Sequence, residues 1–377
     1  MSSRTYGLIP VDTWFFRDGR PYNQGEANQT GVISLFPPFG TTVVGAIRAG
    51  LARSMGWSGR GDWPSFIKDR LGDGPDLGPL MFKGPCMVRL KGELSEPLFT
   101  TPLHLLGRPP EDDGDGWKLT RLSPGVGVDC DLGNRIRLPA AKDATGMKPL
   151  TGYFLSPGDL AKVLQDGDLK GVRPVSEQDL WEMEYSVGIQ RDFQTRTTGE
   201  DAMYSRHNVR LKKDVALAVE VDGLEDDVVL PITLPLGGEG RLAWAEPLVA
   251  NLKPPDPPSL RAEDDGRVRF TVTHLTPVYF NGGWPGPGDC LPGVPGAEVV
   301  SACLERPLRI GGWDSVRNQP LPLRPFLPPG STWFCEAREE HAENIRQSNG
   351  MHLGSYWEQG YGQIAIGSWN DYEGVSK

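Results

Sequence analysis

The most regular pattern of apolar positions follows the segment LFPPFG near the N-terminus. From Val43 to Met55 apolar residues recur at a helical spacing, which predicts a helix with one buried face. The two prolines end the preceding segment, and a threonine after Gly40 can cap the first free amides of this helix. The residues predicted to face the core are Val43, Val44, Ile47, Leu51 and Met55.

Three other stretches have the apolar and β-branched residues that are typical of strands. They are YGLIPVDTWFF at Tyr6–Phe16, VALAVEV at Val215–Val221 and RFTVTHLTPVYF at Arg269–Phe280. Between Gly56 and Asp179 the pattern is weak, acidic and rich in turn residues. This region predicts large loop insertions on one domain.

Length and composition indicate two folded domains. The chain has 377 residues, and a domain usually contains about 100–200. The 11 tryptophans are too many for a disordered coil, whose composition is poor in aromatic residues. The proline-rich segment NLKPPDPP is the best candidate for a linker. The predicted division is an N-terminal domain at 1–250 with insertions at 56–179, a linker at 251–266 and a C-terminal domain at 267–377.

The distribution of charge distinguishes one segment, at 185–213, from the rest of the chain. The net charge of −10 argues against a protein that coats nucleic acid generally. The stretch at 185–213 has six basic and three acidic residues, a local charge of 6 − 3 = +3. Cations interleaved with aromatic rings suit a polyanion with stackable bases, although a solvated hairpin whose arginines confer solubility would also fit. The residues concerned are Arg191, Arg196, Arg206, Arg210, Lys212 and Lys213, with Phe193 and Tyr204.

The cysteines and the lengths of the apolar runs argue against several other classes of protein, namely zinc-binding, disulfide-rich, secreted and membrane proteins. Five scattered cysteines contain no C-x-x-C pair, so neither a zinc knuckle nor a disulfide framework is predicted. No apolar run has the length of a signal peptide core or of a membrane span. We therefore expect a reduced, cytoplasmic, soluble protein without a metal or another cofactor.

Three further places could contact an anion. Arg17 and Arg20 flank a turn, where they can touch phosphate or pair with Asp12 and Asp18. The entry to the predicted helix, at 40–42, leaves amides free to hold an anion, with Arg48 nearby, although an ordinary capped core helix is the simpler interpretation. The glycine-rich segment at 354–367 can bring amides to phosphates and tyrosine or tryptophan rings to bases, or it can be purely structural.

Several separate motifs occur in an order that resembles one known family. They are PVDTWFFRDGRP, FPPFGTTVVGAIRAGL, VGIQRDFQTRTTGEDAMYSRHNVRL, GGEGR, GGWD and GYGQIAIGSW. Together they resemble the third subunit of the Cmr module, a RAMP-superfamily protein of type III-B CRISPR effector complexes. The likeness extends from residue 10 to residue 369, and the region from 56 to 179 contributes little to it.

The resemblance implies an α+β protein with two ferredoxin-like (RRM-type) domains that carry large loop and hairpin insertions. It implies a non-catalytic subunit that binds the 5′ repeat-derived handle of the guide RNA (crRNA). The protein partners would be the large polymerase-like subunit and a neighbouring RAMP backbone subunit. The hairpin at 188–210 and the loop at 354–362 would contact RNA. Taken with the residue chemistry, the predicted RNA-binding set is Arg17, Arg20, Gly40, Thr41, Thr42, Arg48, Gln190, Arg191, Phe193, Arg196, Tyr204, Arg206, His207, Arg210, Gly354, Gly360, Tyr361 and Gly362.

Two other functions remain open at this point. Some RAMP relatives are ribonucleases that cut the guide precursor, and His207 is the one histidine inside the basic stretch that could act as an acid or base. Alternatively, the protein could be an adaptor whose acidic surface and tryptophans contact only proteins. Incubation of the protein with repeat RNA tests the ribonuclease alternative, and a pull-down without RNA tests the adaptor alternative.

Overall fold

The computed structural model describes residues 2–17, 32–110, 116–131, 133–191, 194–195, 197–314 and 319–371. Strands predominate over helices within these residues, so the prediction of a mixed protein of the α+β class is confirmed. In chain order the elements are β1 Ser2–Pro10, β2 Val32–Ile33, α1 Gly40–Ser54, α2 Ser65–Leu71, β3 Met81–Arg89, β4 Glu96–Thr100, β5 Leu105–Arg108, β6 Lys118–Arg121, β7 Ser123–Cys130, β8 Gly133–Ala140, β9 Lys148–Pro149, β10 Tyr153–Leu155, α3 Pro157–Leu164, β11 Val175–Ser176, β12 Trp181–Arg191, β13 Thr198–Leu211, β14 Val215–Leu224, β15 Thr233–Pro235, β16 Leu242–Pro247, β17 Arg267–His274, β18 Glu298–Cys303, β19 Leu308–Asp314, β20 Gln319–Phe326, β21 Thr332–Arg338, α4 Ala342–Gln347 and β22 Ile364–Ser368.

The chain divides into two compact units, each built from three segments. Unit 1 comprises Met1–Ser95, Gln178–Ala250 and Arg309–Leu323, and unit 2 comprises Glu96–Glu177, Asn251–Leu308 and Arg324–Lys377.

None of the helices in the described residues is both long and apolar enough to cross a membrane.

Unit 1 is organised around an antiparallel sheet with the strand order β3-β14-β1-β16-β15. Four of the five residues predicted for the apolar stripe of α1 are buried, namely Val43, Val44, Ile47 and Leu51. The fifth, Met55, is half-buried and follows the last residue of the helix. The helix begins at Gly40, and its N-cap residue Phe39 has no side-chain cap. The prediction of a threonine cap was therefore wrong, because the threonines lie inside the first turn.

Unit 2 is organised around a second antiparallel sheet, with the strand order β18-β21-β17-β22. Its core includes Phe270, Val272, Trp333 and Ile366. A second buried cluster joins residues of α3 and its neighbouring strands to Leu275 and Ala365. Its members include Phe99, Leu105, Leu155, Leu160 and Val163.

This second cluster explains why the observed division differs from the predicted one. Much of the region predicted as insertions on the N-terminal domain, residues 96–177, belongs to unit 2. The predicted linker also belongs to unit 2, where side chains donate hydrogen bonds to its carbonyl groups. Asn349 Nδ2 donates to the Pro255 carbonyl at 3.0 Å and Gln363 Nε2 to the Leu252 carbonyl at 3.1 Å.

Two buried histidines of unit 2 should make its stability depend on pH. Burial lowers the pKa of His104 and of His274 to about 3, so both stay neutral in the folded state. Histidines in the unfolded chain have a pKa near 6.5 and bind protons below it, so stability is complete above about pH 6.5 and falls as the pH falls. We expect the free energy of unfolding to decrease by about 2.5 kcal/mol from pH 7 to pH 5.5 on account of these two groups.

Urea unfolding at several pH values measures this dependence. The double variant His104→Gln/His274→Gln should lose most of the dependence between pH 7 and 5.5. An equally steep dependence in that variant would mean that other groups cause it.

Candidate nucleic-acid interface

The basic stretch forms a long antiparallel hairpin from β12 and β13. The strands pair from Trp181 opposite Leu211 to Arg191 opposite Thr198, with an irregularity near the tip. The short strand β2 lies parallel to β13. The residues Phe193 and Arg196, and also Arg20, lie outside the described part of the chain, as do the side chains of Gln190, Arg191 and Tyr204.

Acidic side chains compensate the described cations at the base of the hairpin. The guanidinium of Arg206 donates to Glu239 at 2.9 Å. Arg210 donates to Glu184 at 2.6 Å and to Asp12 at 3.0 Å. These pairs are solvent-accessible, and such pairs contribute only about 0–1 kcal/mol. A phosphate could replace the carboxylates at small cost, but the local field at this end of the hairpin is less positive than the sequence suggests.

One face of β12 exposes apolar and aromatic side chains. Met183, Tyr185 and Val187 are 42%, 59% and 50% exposed. The Tyr185 ring lies 5.2 Å from that of His207 on the neighbouring strand, with 58° between the ring planes. Tyr185 was not among the predicted site residues. Its pairing with His207 gives the hairpin an accessible aromatic surface.

The base of the hairpin is held by buried aromatic residues. Trp14 is fully buried and exchanges two backbone hydrogen bonds with Val209, at 2.9 and 2.7 Å. The guanidinium of Arg206 lies over the Phe15 ring, 6.0 Å from its centroid. Arg17 follows two residues later and is exposed. The hairpin is therefore anchored at the end opposite to its tip.

The arginine predicted beside the start of α1 has a structural role. Arg48 is 8% exposed. Its Nε, Nη1 and Nη2 donate at 2.8–2.9 Å to the carbonyl groups of three residues in the turn after α2. Burial lowers the pKa of Arg48. Each of its three nitrogens already donates to a carbonyl group, of Leu71, Gly74 or Asp76, and the side chain is buried, so we exclude Arg48 from the candidate interface.

The predicted helix-entry site is only partly accessible. The Thr42 amide donates to the Phe39 carbonyl at 3.0 Å. The Thr41 hydroxyl lies 3.5 Å from the Gly311 carbonyl, and Gly40 is buried. Of these residues only Thr42 has an exposed side chain.

The glycine-rich segment of unit 2 is shaped by close backbone contacts. Gly354, Gly360 and Gly362 have φ values of 79°, 86° and 79°, a region that side-chain-bearing residues rarely adopt. The Gly362 amide donates to the Pro277 carbonyl at 2.8 Å. Tyr361 is 1% exposed, so its ring belongs to the core and is not available to stack on a base.

Gly354→Ala should lower the free energy of unfolding by about 2 kcal/mol, because the backbone is left-handed and the new Cβ would crowd the Tyr279 carbonyl oxygen. An ideal Cβ at Gly354 would lie 2.6 Å from that oxygen. Urea unfolding measures the change. Gly282→Ala is the matched control, since a Cβ there meets nothing within 4 Å. Equal stability of the two variants would contradict the strain at Gly354.

The fold therefore defines a class of protein with two sheet-based units, one of which contains a long hairpin with basic residues and the other a glycine-rich loop. A family model described as CRISPR-associated protein (Cas_Cmr3) matches residues 6–369. The chain therefore belongs to the Cmr3 family of CRISPR-associated proteins, and the resemblance to the third subunit of the Cmr module is confirmed. No curated protein matches the sequence.

Two solved structures are similar over most of the chain. One is a chain of the type III-B Cmr-beta complex bound to cognate target RNA, with 16% identity, 96% of each chain covered and a TM-score of 0.49. The other is from the same kind of complex bound to cognate target RNA and AMPPnP, with 16% identity, coverage of 88% of this chain and 86% of that chain, and a TM-score of 0.46.

Proposed function

We propose that this protein is a non-catalytic subunit of a type III-B CRISPR effector complex that binds and covers the 5′ handle of the guide RNA. The observation that carries the proposal is the match of the Cmr3 family model to residues 6–369. Its protein partners would be the large polymerase-like subunit and a neighbouring RAMP backbone subunit. The target would be set by the guide rather than by this chain.

We also propose that both units are ferredoxin-like. In unit 1 the strands β1, β3, β14 and β16 are the first to fourth main strands along the chain, and in the sheet they lie in the order second, third, first, fourth. The strands β17, β18, β21 and β22 of unit 2 repeat this order. The same antiparallel arrangement in both units supports the proposal that the two are related versions of an RRM-type fold.

The hairpin would act through phosphate contacts and stacking. Single-stranded RNA is recognised when its bases are unstacked and placed against aromatic rings. The accessible pair of Tyr185 and His207 offers such a surface, and the cations Arg191 and Arg196 would hold phosphates of the RNA. Arg17 remains in the proposed set because it is exposed.

Competition binding tests the proposed function. The full chain is mixed with labelled guide RNA and challenged with unlabelled RNAs that carry the repeat-derived handle at the 5′ end, at the 3′ end or not at all. The 5′ arrangement should compete at least tenfold better than the other two. Equal competition by all three RNAs would show that the protein binds RNA without preference for the 5′ handle and would contradict the proposed function.

The exposed row on β12 favours a second candidate, a protein-only adaptor. Exposed apolar residues in a row are typical of protein-binding surfaces, and Met183, Tyr185 and Val187 form such a row. A pull-down of the other Cmr subunits separates the two functions. Assembly that survives both nuclease treatment and replacement of Arg191 and Arg196 would support the adaptor. The nuclease alternative predicts instead a defined cut in repeat RNA that disappears in His207→Ala.

A further inference from the structure

Four aromatic rings converge behind the glycine-rich loop of unit 2. Tyr279 and Tyr356 lie 6.0 Å apart between ring centroids, and each lies within 6.0 Å of Phe326. Phe326 packs in turn on Tyr361 at 4.8 Å. Phe326 and Tyr361 are buried, whereas the two other tyrosines are half-buried. The cluster therefore has an inner, inaccessible layer and an outer layer that faces solvent.

An arginine lies on the outer layer. The guanidinium carbon of Arg324 is 5.4 Å from the ring centroid of Tyr279 and 5.9 Å from that of Tyr356. Its Nη1 donates to the Tyr279 hydroxyl at 3.2 Å, which in turn lies 3.3 Å from the Asn281 Oδ1 atom. The two rings and the hydroxyl hold the planar group in one orientation, which reduces the entropy that Arg324 would lose on binding a ligand.

This cation differs from those partly buried arginines of unit 2 that form ion pairs. Arg269, for example, forms ion pairs with the carboxylates of four residues. These residues are Glu263, Asp265, Glu336 and Asp371. Among the described residues, no carboxylate lies within ion-pair distance of Arg324. One hydroxyl occupies only one of its five N–H donors. A half-buried, oriented guanidinium with open donors is a ready site for an anion.

The backbone places Tyr356 in this cluster at an energetic cost. Tyr356 has φ = 65°, a left-handed conformation that is unfavourable for a residue with a side chain. The preceding residue, Ser355, donates its amide to the Tyr279 carbonyl at 2.9 Å and so fixes the loop against Tyr279. Strain of this kind persists at sites where the surrounding structure holds a residue for a function.

We infer that Arg324, supported by Tyr279 and Tyr356, binds one phosphate of the single-stranded guide RNA. This inference rests on the proposed function and adds a contact that lies outside the glycine-rich loop in sequence. RNA is favoured over a protein carboxylate because the site presents accessible aromatic rings beside a cation, the combination that binds single-stranded nucleic acids. Trp357, which follows Tyr356, is 43% exposed and adds a further ring for a neighbouring base.

A phosphate scan tests the contact. A series of synthetic guide RNAs carries the handle at the 5′ end and a single 2′-O-methyl methylphosphonate linkage, which is neutral, at successive positions. The matched reference at each position is the 2′-O-methyl phosphodiester. With the wild-type full chain, one position should weaken binding about tenfold, equivalent to about 1.4 kcal/mol. With Arg324→Gln the charged RNA should bind about tenfold more weakly, and the neutral linkage at that position should cause no further loss.

The controls separate the possible failures. Arg306→Gln removes an exposed arginine of unit 2 and should retain both wild-type affinity and the sensitive position. Thermal melting should show that Arg324→Gln is folded. If wild-type protein does not prefer handle RNA, the proposed function fails and the inference fails with it. If the handle is bound but Arg324→Gln behaves like wild type at every position, only the inference fails. Loss of complex assembly with unchanged RNA binding would assign Arg324 to a protein carboxylate and overturn the RNA contact.

Discussion

Replacing Arg191 and Arg196 together with glutamate should lower the affinity for handle RNA about a thousandfold. Each substitution removes a proposed phosphate contact and adds a like charge near the RNA backbone, so the two effects act in the same direction. The magnitude of the negative slope of log K against log salt should also decrease by about 1.4, because each phosphate contact on a single strand contributes about 0.7. Fluorescence anisotropy between 50 and 300 mM salt measures both quantities.

The matched control is Lys212→Glu/Lys213→Glu at the other end of the hairpin. Both double variants change the net charge by −4, from −10 to −14, so a general electrostatic effect is the same in each. Lys212 already pairs with Glu182. The control should therefore lose less than tenfold in affinity. Equal losses in the two variants would show that net charge rather than the hairpin tip governs RNA binding.

Arg48→Met should lower the free energy of unfolding by about 3 kcal/mol. The guanidinium satisfies three carbonyl groups of the turn after α2 and also lies over the Trp63 ring, 5.2 Å from its centroid. Methionine fills most of the volume but leaves these carbonyl groups without a donor, and each buried unsatisfied group costs about 1–3 kcal/mol. The total is closer to the lower bound because two of the three carbonyls are only partly buried.

Urea unfolding followed by tryptophan fluorescence measures this loss. Arg53→Met is the matched control on the same helix. Its guanidinium is exposed and lies over Trp57 at 5.9 Å, so its loss should cost less than about 1 kcal/mol. RNA affinity of folded Arg48→Met should equal that of wild type. A variant that is fully stable but binds RNA poorly would show that Arg48 is one of the RNA-binding residues after all.

Local patterns in the sequence predicted features that depend on neighbours in the chain. The buried stripe of α1 follows from a spacing that any amphipathic helix must have, and the structure places Val43, Ile47 and Leu51 in the core. The hairpin of β12 and β13, in contrast, was implied by the family resemblance, which placed a hairpin at 188–210.

Features that depend on distant contacts could not be predicted in this way. The alternation of Met183, Tyr185 and Val187 normally indicates a buried face, but these side chains are 42%, 59% and 50% exposed. Arg48 resembles a phosphate ligand in sequence, and only the fold brings the turn at 71–76 to its guanidinium. Arg324 lies in the proline-rich segment QPLPLRPF, where no local pattern indicates that two tyrosines from other segments will meet it.

The most direct test of the central claim is photo-crosslinking in the reconstituted effector complex. The guide RNA carries 4-thiouridine at single positions of its handle, and the crosslinked peptides are identified by mass spectrometry. The proposed function predicts adducts from the first handle nucleotides in residues 188–210 and 354–362 of this chain. A handle that crosslinks only to other subunits would contradict handle binding by this protein and leave it an adaptor.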